Sequence, residues 1–235
     1  LFVPTKAGMA NLAKEGFDLE VKGKATIDTP HVYHCGDIMY DNSLYFAALS
    51  KEKSLLLRQL ELTPEQYILC TIHRDSNTDD PIALQGIFEA LLTLIDQTGL
   101  SVVLPIHPRT KNKIETLLSV AFQERIAAQD KLQITAPAGF LDMIALEQNA
   151  RLIVTDSGGV QKEAYFFAKP CVILREQTEW VEVVEAGAAI LTGANQEKIL
   201  DAATELLSRT IQTRSDIFGD GYAATFICQK ILTTL

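Results

Sequence analysis

The decapeptide Thr155-Asp156-Ser157-Gly158-Gly159-Val160-Gln161-Lys162-Glu163-Ala164 carries the residue types of an anion site. It follows the apolar run Leu152-Ile153-Val154 and leads into a helical pattern from Val160 to Ala168. Gly158 and Gly159 let the backbone approach a ligand closely. The first free N–H groups of the helix, together with its dipole, favour negative charge at that point. Glu163, a turn further on, offers a carboxylate that can accept hydrogen bonds from two sugar hydroxyls. Phosphate on backbone amides beside ribose on a carboxylate makes a nucleotide site. The alternative is an ordinary Asp or Ser helix cap followed by a surface Glu. The decapeptide alone does not separate the two.

Other polar residues directly follow apolar runs. His73-Arg74-Asp75-Ser76-Asn77 follows Tyr67–Ile72, His107-Pro108-Arg109 follows Ser101–Ile106, and Pro137-Ala138-Gly139 follows Leu132–Thr135. Arg175-Glu176-Gln177-Thr178-Glu179 follows Cys171–Leu174. If the runs are parallel strands, all these turns share one sheet edge. His73, His107, Arg74, Arg109 and Arg175 then gather beside the Ser-Gly-Gly turn, a set that suits a diphosphate gripped by bidentate guanidinium bonds. Each residue also has a plainer reading. His73 could cap the sheet edge, and His107-Pro108 is a common loop opening. Arg109 and Arg175 could pair with surface carboxylates, and Asp156 reads as structural, tying the turn. His31 and His34 alternate along a short strand and read as its edge rather than as a metal pair. Neither a Ser/His/Asp nucleophile arrangement nor metal-ligand spacing is evident.

The elements that must position these groups alternate along the chain. Leu1–Val3 and Val32–Cys35 read as short strands around a helix from Ala7 to Glu15, and Asn42–Arg58 has helical spacing. Beyond Leu62-Thr63-Pro64-Glu65, strands are expected at Tyr67–Ile72, Ser101–Ile106, Leu132–Thr135, Arg151–Thr155, Cys171–Leu174 and Ala188–Leu191. Helices are expected at Pro81–Gln97, Thr110–Phe122, Phe140–Gln148, Val160–Ala168, Glu179–Glu185, Gln196–Arg209 and Gly221–Leu232. Near-continuous apolar strands separated by amphipathic helices predict an α/β, doubly wound parallel sheet covered on both faces. Ligands in such folds sit beyond the carboxyl ends of the strands.

With a net charge of −9, broad attraction to nucleic acid or an anionic membrane is not expected, so an anionic ligand must be held by local groups. No apolar run approaches transmembrane length. Cys35, Cys70, Cys171 and Cys228 lack CxxC spacing and read as free thiols of a reducing compartment. The chain opens on Leu1-Phe2-Val3, a strand pattern, which suggests a piece of a longer protein.

Taken together, His73-Arg74, His107-Pro108, the Thr155–Ala164 decapeptide, Lys169-Pro170, Arg175, Thr178-Glu179 and Gly219-Asp220-Gly221 resemble the non-hydrolysing UDP-N-acetylglucosamine 2-epimerases. Phe2-Val3-Pro4-Thr5, Asn11-Leu12, Glu15-Gly16 and Gly36-Asp37 are similar to the middle of that family, so the likeness covers nearly the whole chain. It implies a GT-B-type pair of Rossmann-like domains with the N-terminal domain largely missing. Residues 1–50 would be the end of the first domain and 51–218 the UDP-binding domain. Residues 219–235 would be a helix packing back towards the first.

The resemblance implies that UDP leaves C1 of the sugar as a base removes the C2 proton, and then adds back to the resulting glycal. It places Ser157, Gly158 and Gly159 on the phosphates and Glu163 on the ribose. Arg175 would also bind UDP, and Met143 would lie near the uracil. His73 would act as the catalytic group beside the diphosphate and the reacting sugar, with Arg74 next to it. In some bacterial members the Arg74 position also serves an allosteric UDP-sugar site. The family's acidic acid/base residues lie in the first domain. No cofactor or metal is implied; a cytoplasmic homodimer is.

The sequence departs from the family in two places. Common members carry Thr-Glu-Arg-Pro-Glu where this chain has Thr178-Glu179-Trp180-Val181-Glu182. Ala138 and Met143 replace the Gln and Phe near uracil. Both look more like the branch acting on UDP-2,3-diacetamido-2,3-dideoxyglucuronate. A GT-B glycosyltransferase, a nucleotide-sugar-binding regulatory module and a flavodoxin-like phosphate-binding domain are the alternatives.

Overall fold

The computed structural model describes residues 1–234. The chain forms two compact units. One is Leu1–Ala48 with the segment from Thr213 onward, and the other is Leu49–Gln212. In the first unit, β1 (Phe2–Val3) and β2 (Tyr33–His34) pair in parallel, with Phe2 opposite Tyr33. Thr5 starts the helix Lys6–Lys14, its hydroxyl accepting from the Gly8 N–H at 3.1 Å. Gly36 and Gly219, separate pieces of the sequence pattern, meet back to back. Both have positive φ, and a Cβ on Gly36 would stand 3.0 Å from the Phe218 carbonyl oxygen. Only glycine serves there. The Asp37 N–H donates to that same carbonyl at 2.9 Å. Asp41 accepts from the N–H groups of Ala223 and Ala224, capping the helix Ala223–Thr234. Phe226 of that helix meets the Tyr33 ring edge-on.

The second unit is built on six parallel strands. These are β3 (Tyr67–Thr71), β4 (Ser101–Pro105), β5 (Leu132–Thr135), β6 (Leu152–Thr155), β7 (Cys171–Ile173) and β8 (Ala189–Leu191). Their spatial order is β5-β4-β3-β6-β7-β8. Ile68, Cys70, Val102, Leu104, Val154 and Val172 point to one face. They pack there with Leu84, Ile87, Phe88 and Leu91 of helix Pro81–Thr98 and with Ile199, Ala203 and Leu206 of helix Gln196–Leu207. Alternation along β3 sends Tyr67 and Leu69 to the other face. There the buried Tyr67 hydroxyl donates to the Leu146 carbonyl of helix Phe140–Asn149. Helices thus cover both faces, and the chain reverses direction across the sheet between β3 and β6. That switch point is where a doubly wound fold opens a crevice.

Two expected helices are each split in two. The run read as Thr110–Phe122 is broken into Pro108–Leu117 and Val120–Ala127. Leu118 and Ser119 are extended, and the Ser119 hydroxyl caps the second helix by accepting from the Phe122 N–H. The helix expected from Asn42 to Arg58 begins at Ile38, where Asp37 accepts from the Met39 N–H. It ends at Lys53, and Leu56–Gln59 forms a separate turn. No helix among the described residues is long and apolar enough to cross a membrane.

Candidate functional site

β3 and β6 are neighbours with Thr71 opposite Thr155, so residues 73 and 156–157 leave the sheet side by side. The Thr71 and Thr155 hydroxyls hydrogen-bond at 2.5 Å, and Thr155 Oγ1 also accepts from the Ser157 N–H at 2.9 Å. Ser157 is extended, and its hydroxyl caps helix Gly158–Phe166 by accepting from the Val160 N–H. The N–H groups of Gly158 and Gly159 open that helix and have no partner within it. They face the crevice with the positive end of the dipole behind them.

Asp156 does more than tie the turn. It is fully buried, and its carboxylate accepts from the backbone N–H groups of His73 and Arg74 at about 3.0 Å and from Asn77 Nδ2 at 3.0 Å. His73 Nδ1 lies 3.0 Å from Asp156 Oδ1. Burial alone would raise the Asp156 pKa, but the bonds from His73, Arg74 and Asn77 outweigh it and hold the carboxyl below its usual range. In return, the hydrogen bond to Asp156 raises the His73 pKa above the ordinary histidine value. Because Asp156 can only accept, Nδ1 carries a proton. The half-exposed ring therefore presents Nε2 outward, next to the open helix end.

The arginines are placed by carboxylates. Arg175 makes a bidentate pair with Glu179 at 2.7 and 3.0 Å. Arg74 donates through Nε to the Asp156 carbonyl, and its Nη2 lies 3.8 Å from Glu179. Hydrogen bonding to Arg175 takes the Glu179 pKa down to about 2. Glu179 and Trp180 stand over the turn. A Cβ added to Gly158 would lie 3.5 Å from Trp180 Nε1 and 3.7 Å from Glu179 Oε2. The Lys162 ammonium sits 4.1 Å above the Trp180 ring. Gln161 fixes the loop to the helix by accepting from the Thr178 hydroxyl at 2.6 Å.

Glu163 is half-buried on helix Gly158–Phe166. Burial pushes its pKa up to about 6, opposed by Lys162 and by a hydrogen bond from Glu147. Met143 is half-buried in the first turn of helix Phe140–Asn149, which packs against helix Gly158–Phe166. Arg109 pairs with Asp75 and Asp79, and His107 accepts from the Arg109 N–H, so both follow their plainer readings. Sequence reasoning left out Asn77 and Glu147. A Glu among Ile144, Ala145 and Leu146, on the buried face of a helix, was the available signal for the latter.

A doubly wound parallel sheet with an open Ser-Gly-Gly helix start, a His–Asp pair and arginines at its switch point defines a Rossmann-type α/β domain with a candidate anion site. Comparison with known proteins narrows that class. The sequence profile of the UDP-N-acetylglucosamine 2-epimerase family matches residues 1–232, and this chain belongs to that family. It is 41% identical over 231 residues to a UDP-2,3-diacetamido-2,3-dideoxy-D-glucuronate 2-epimerase of Pseudomonas aeruginosa, covering 98% of this chain and 59% of the relative. It is 38% identical to a UDP-N-acetylglucosamine 2-epimerase homolog of Methanococcus maripaludis, covering 98% and 60%. Among solved structures it is similar to the Methanocaldococcus jannaschii UDP-GlcNAc 2-epimerase in complex with UDP-GlcNAc and UDP. That match has a TM-score of 0.83 and 32% identity, over 99% of this chain and 60% of the other. The structural neighbours are GT-B-type epimerases. The chain spans about 60% of the length of these relatives.

Proposed function

We propose that this chain is the UDP-holding part of a non-hydrolysing UDP-N-acetylglucosamine 2-epimerase, which interconverts UDP-GlcNAc and UDP-ManNAc. The observation that carries the reading is the adjacency of His73 and the open Ser157-Gly158-Gly159 helix start, both organised by buried Asp156. In this reading the phosphates rest on the Gly158 and Gly159 N–H groups and the Ser157 hydroxyl, with Arg74 and Arg175 at their side. Glu163 accepts from the ribose hydroxyls, and Met143 lies against the uracil. His73, with its proton affinity raised by Asp156, donates through Nε2 to the diphosphate. Negative charge develops there as UDP leaves C1, and a donor already in place lowers the barrier to that separation. The retained UDP then adds back to the glycal. The working protein is a cytoplasmic homodimer serving cell-surface polysaccharide synthesis.

Calorimetric titration of the chain with UDP tests the reading. Binding is expected, and Glu163→Gln and His73→Ala are each expected to weaken it at least about tenfold by removing a charge-assisted hydrogen bond. Absence of UDP binding by the native chain would overturn the proposal.

One observation favours a second substrate. The P. aeruginosa relative named for the diacetamido-glucuronate sugar is 41% identical, and Trp180 stands where common family members have arginine. Titration of the whole-length protein with UDP-N-acetylglucosamine and with its 2,3-diacetamido uronate analogue separates the two sugars.

A further inference from the structure

Glu147 has no part in the scheme above, yet it is 1% exposed and lies on the face of helix Phe140–Asn149 turned towards helix Gly158–Phe166. Its side chain hydrogen-bonds to Glu163, the residue read as the ribose acceptor. Its Oε2 has no hydrogen-bond partner among the described residues. Two carboxyl groups in such contact share a proton, because two adjacent negative charges in a buried site repel strongly. Burial settles which keeps it. Desolvation, then the neighbouring Glu163 charge, raises the Glu147 pKa well above the usual carboxylate range, while Glu163 reaches solvent and carries a Lys162 neighbour. The other titratable groups facing Glu147 are Tyr67 on β3 and Cys171 on β7, both pushed upward by burial and by Glu147 itself. Neither brings a positive charge that would ionise Glu147. A neutral acid also suits an oxygen without a partner, since an unpaired oxygen of a neutral carboxyl costs far less than one of an ionised carboxylate.

We propose that Glu147 is a positioning residue whose carboxylic proton is donated to the Glu163 carboxylate, setting the orientation in which Glu163 receives the ribose hydroxyls. One Glu163 oxygen is thereby held, and the remaining acceptor sites turn to the crevice. The proposal rests on the reading of Glu163 as the ribose acceptor, and its test separates the two.

The test is calorimetric titration of the 235-residue chain with UDP across about pH 5.5 to 9.5, for the native protein, Glu147→Gln and Glu147→Leu. Glutamine supplies a donor of the same shape that does not titrate. Leucine removes the donor and keeps the packing. At pH 7, Glu147→Gln is expected to bind UDP within about threefold of native, and Glu147→Leu at least about tenfold more weakly, the range for a hydrogen bond to a charged group. Above neutrality the native affinity falls relative to Glu147→Gln as Glu147 ionises against Glu163. Titration of the uracil ring and the phosphates acts on both proteins alike and cancels in that ratio. A Glu147→Leu protein that binds like native, or a ratio that stays flat with pH, overturns the proposal while leaving the UDP reading intact. If the native chain does not bind UDP, both fall.

Discussion

Asp156 is the residue on which the candidate site turns. Its carboxylate joins the ends of two strands by accepting from two backbone N–H groups, an amide and an imidazole. Replacing it with Asn puts an NH₂ among groups that are all donors. This is expected to cost about 2–3 kcal/mol, the penalty for losing a charged acceptor and leaving buried donors unpaired. It should also bring the His73 pKa back towards 6.5, the value from which Asp156 raises it; NMR titration of the ring protons reads this directly. Linkage gives the pH dependence. His73 has a raised folded pKa, so its contribution is complete below pH 6.5 and lost as pH rises through the folded value. Asp156 has a lowered one, so its contribution is present above pH 3.8 and lost as pH falls through the folded value. The melting-temperature gap between native and Asp156→Asn should therefore be widest between these limits and narrow as pH rises through the raised His73 value. The sequence placed His73 and Asp156 on one edge but could not show that they touch, because their contact depends on strand order. Nor could it show that Glu179 engages Arg175, since an Arg and a Glu four apart in a loop pair only if the loop curls.

At the scale of elements, the strand-turn-helix from Leu152 to Phe166 needs glycine for a functional rather than a steric reason. A methyl group on Gly158 meets Trp180 and Glu179 at ordinary contact distances, so the fold has room for it. Gly158→Ala is thus expected to change stability by less than about 1 kcal/mol, within the helix-propensity range. In the proposed reading the same methyl group would stand at the helix start, where the phosphate approaches the backbone, and UDP affinity is expected to fall about tenfold or more. A thermal melt paired with a UDP titration checks both halves. An unchanged affinity would place the phosphate elsewhere. Most elements were legible because buried strands are short continuous apolar runs and the helices between them repeat at 3.6. The misplaced boundaries share a physical cause. Ser119 restarts a helix through its hydroxyl by accepting from the Phe122 N–H, and Ser54, bonded to the Leu56 N–H and to Asp142, sits at the break before Leu56–Gln59, both inside runs whose apolar spacing hardly changes. Periodicity is insensitive to such a break. Glu147 was hidden in the same way, by sitting in phase with its apolar neighbours.

For the molecule as a whole, what matters is which charges are already committed. The chain carries a net charge of −9, yet four carboxylates around the candidate site already have assignments. Asp156 is buried and holds His73 and Arg74, Glu179 is clamped by Arg175, and Glu163 and Glu147 face each other. His73 has one nitrogen on Asp156 and, in the proposed reading, offers the other to the leaving group. The proton on C2, the carbon that bears the acetamido group, is weakly acidic, and its removal needs a base placed within reach of that proton. In the proposed reading each of these groups is engaged by the nucleotide or by another side chain, so none serves as that base. The 235-residue chain is therefore expected to bind UDP-N-acetylglucosamine without epimerising it. In deuterated water, proton NMR of the bound and released sugar should show no exchange at C2 over hours. The whole-length protein should exchange that proton as it turns over. Deuterium entering C2 with the chain alone would mean that a base lies within this chain. Glu163 would then be the first residue to examine, by repeating the measurement with Glu163→Gln.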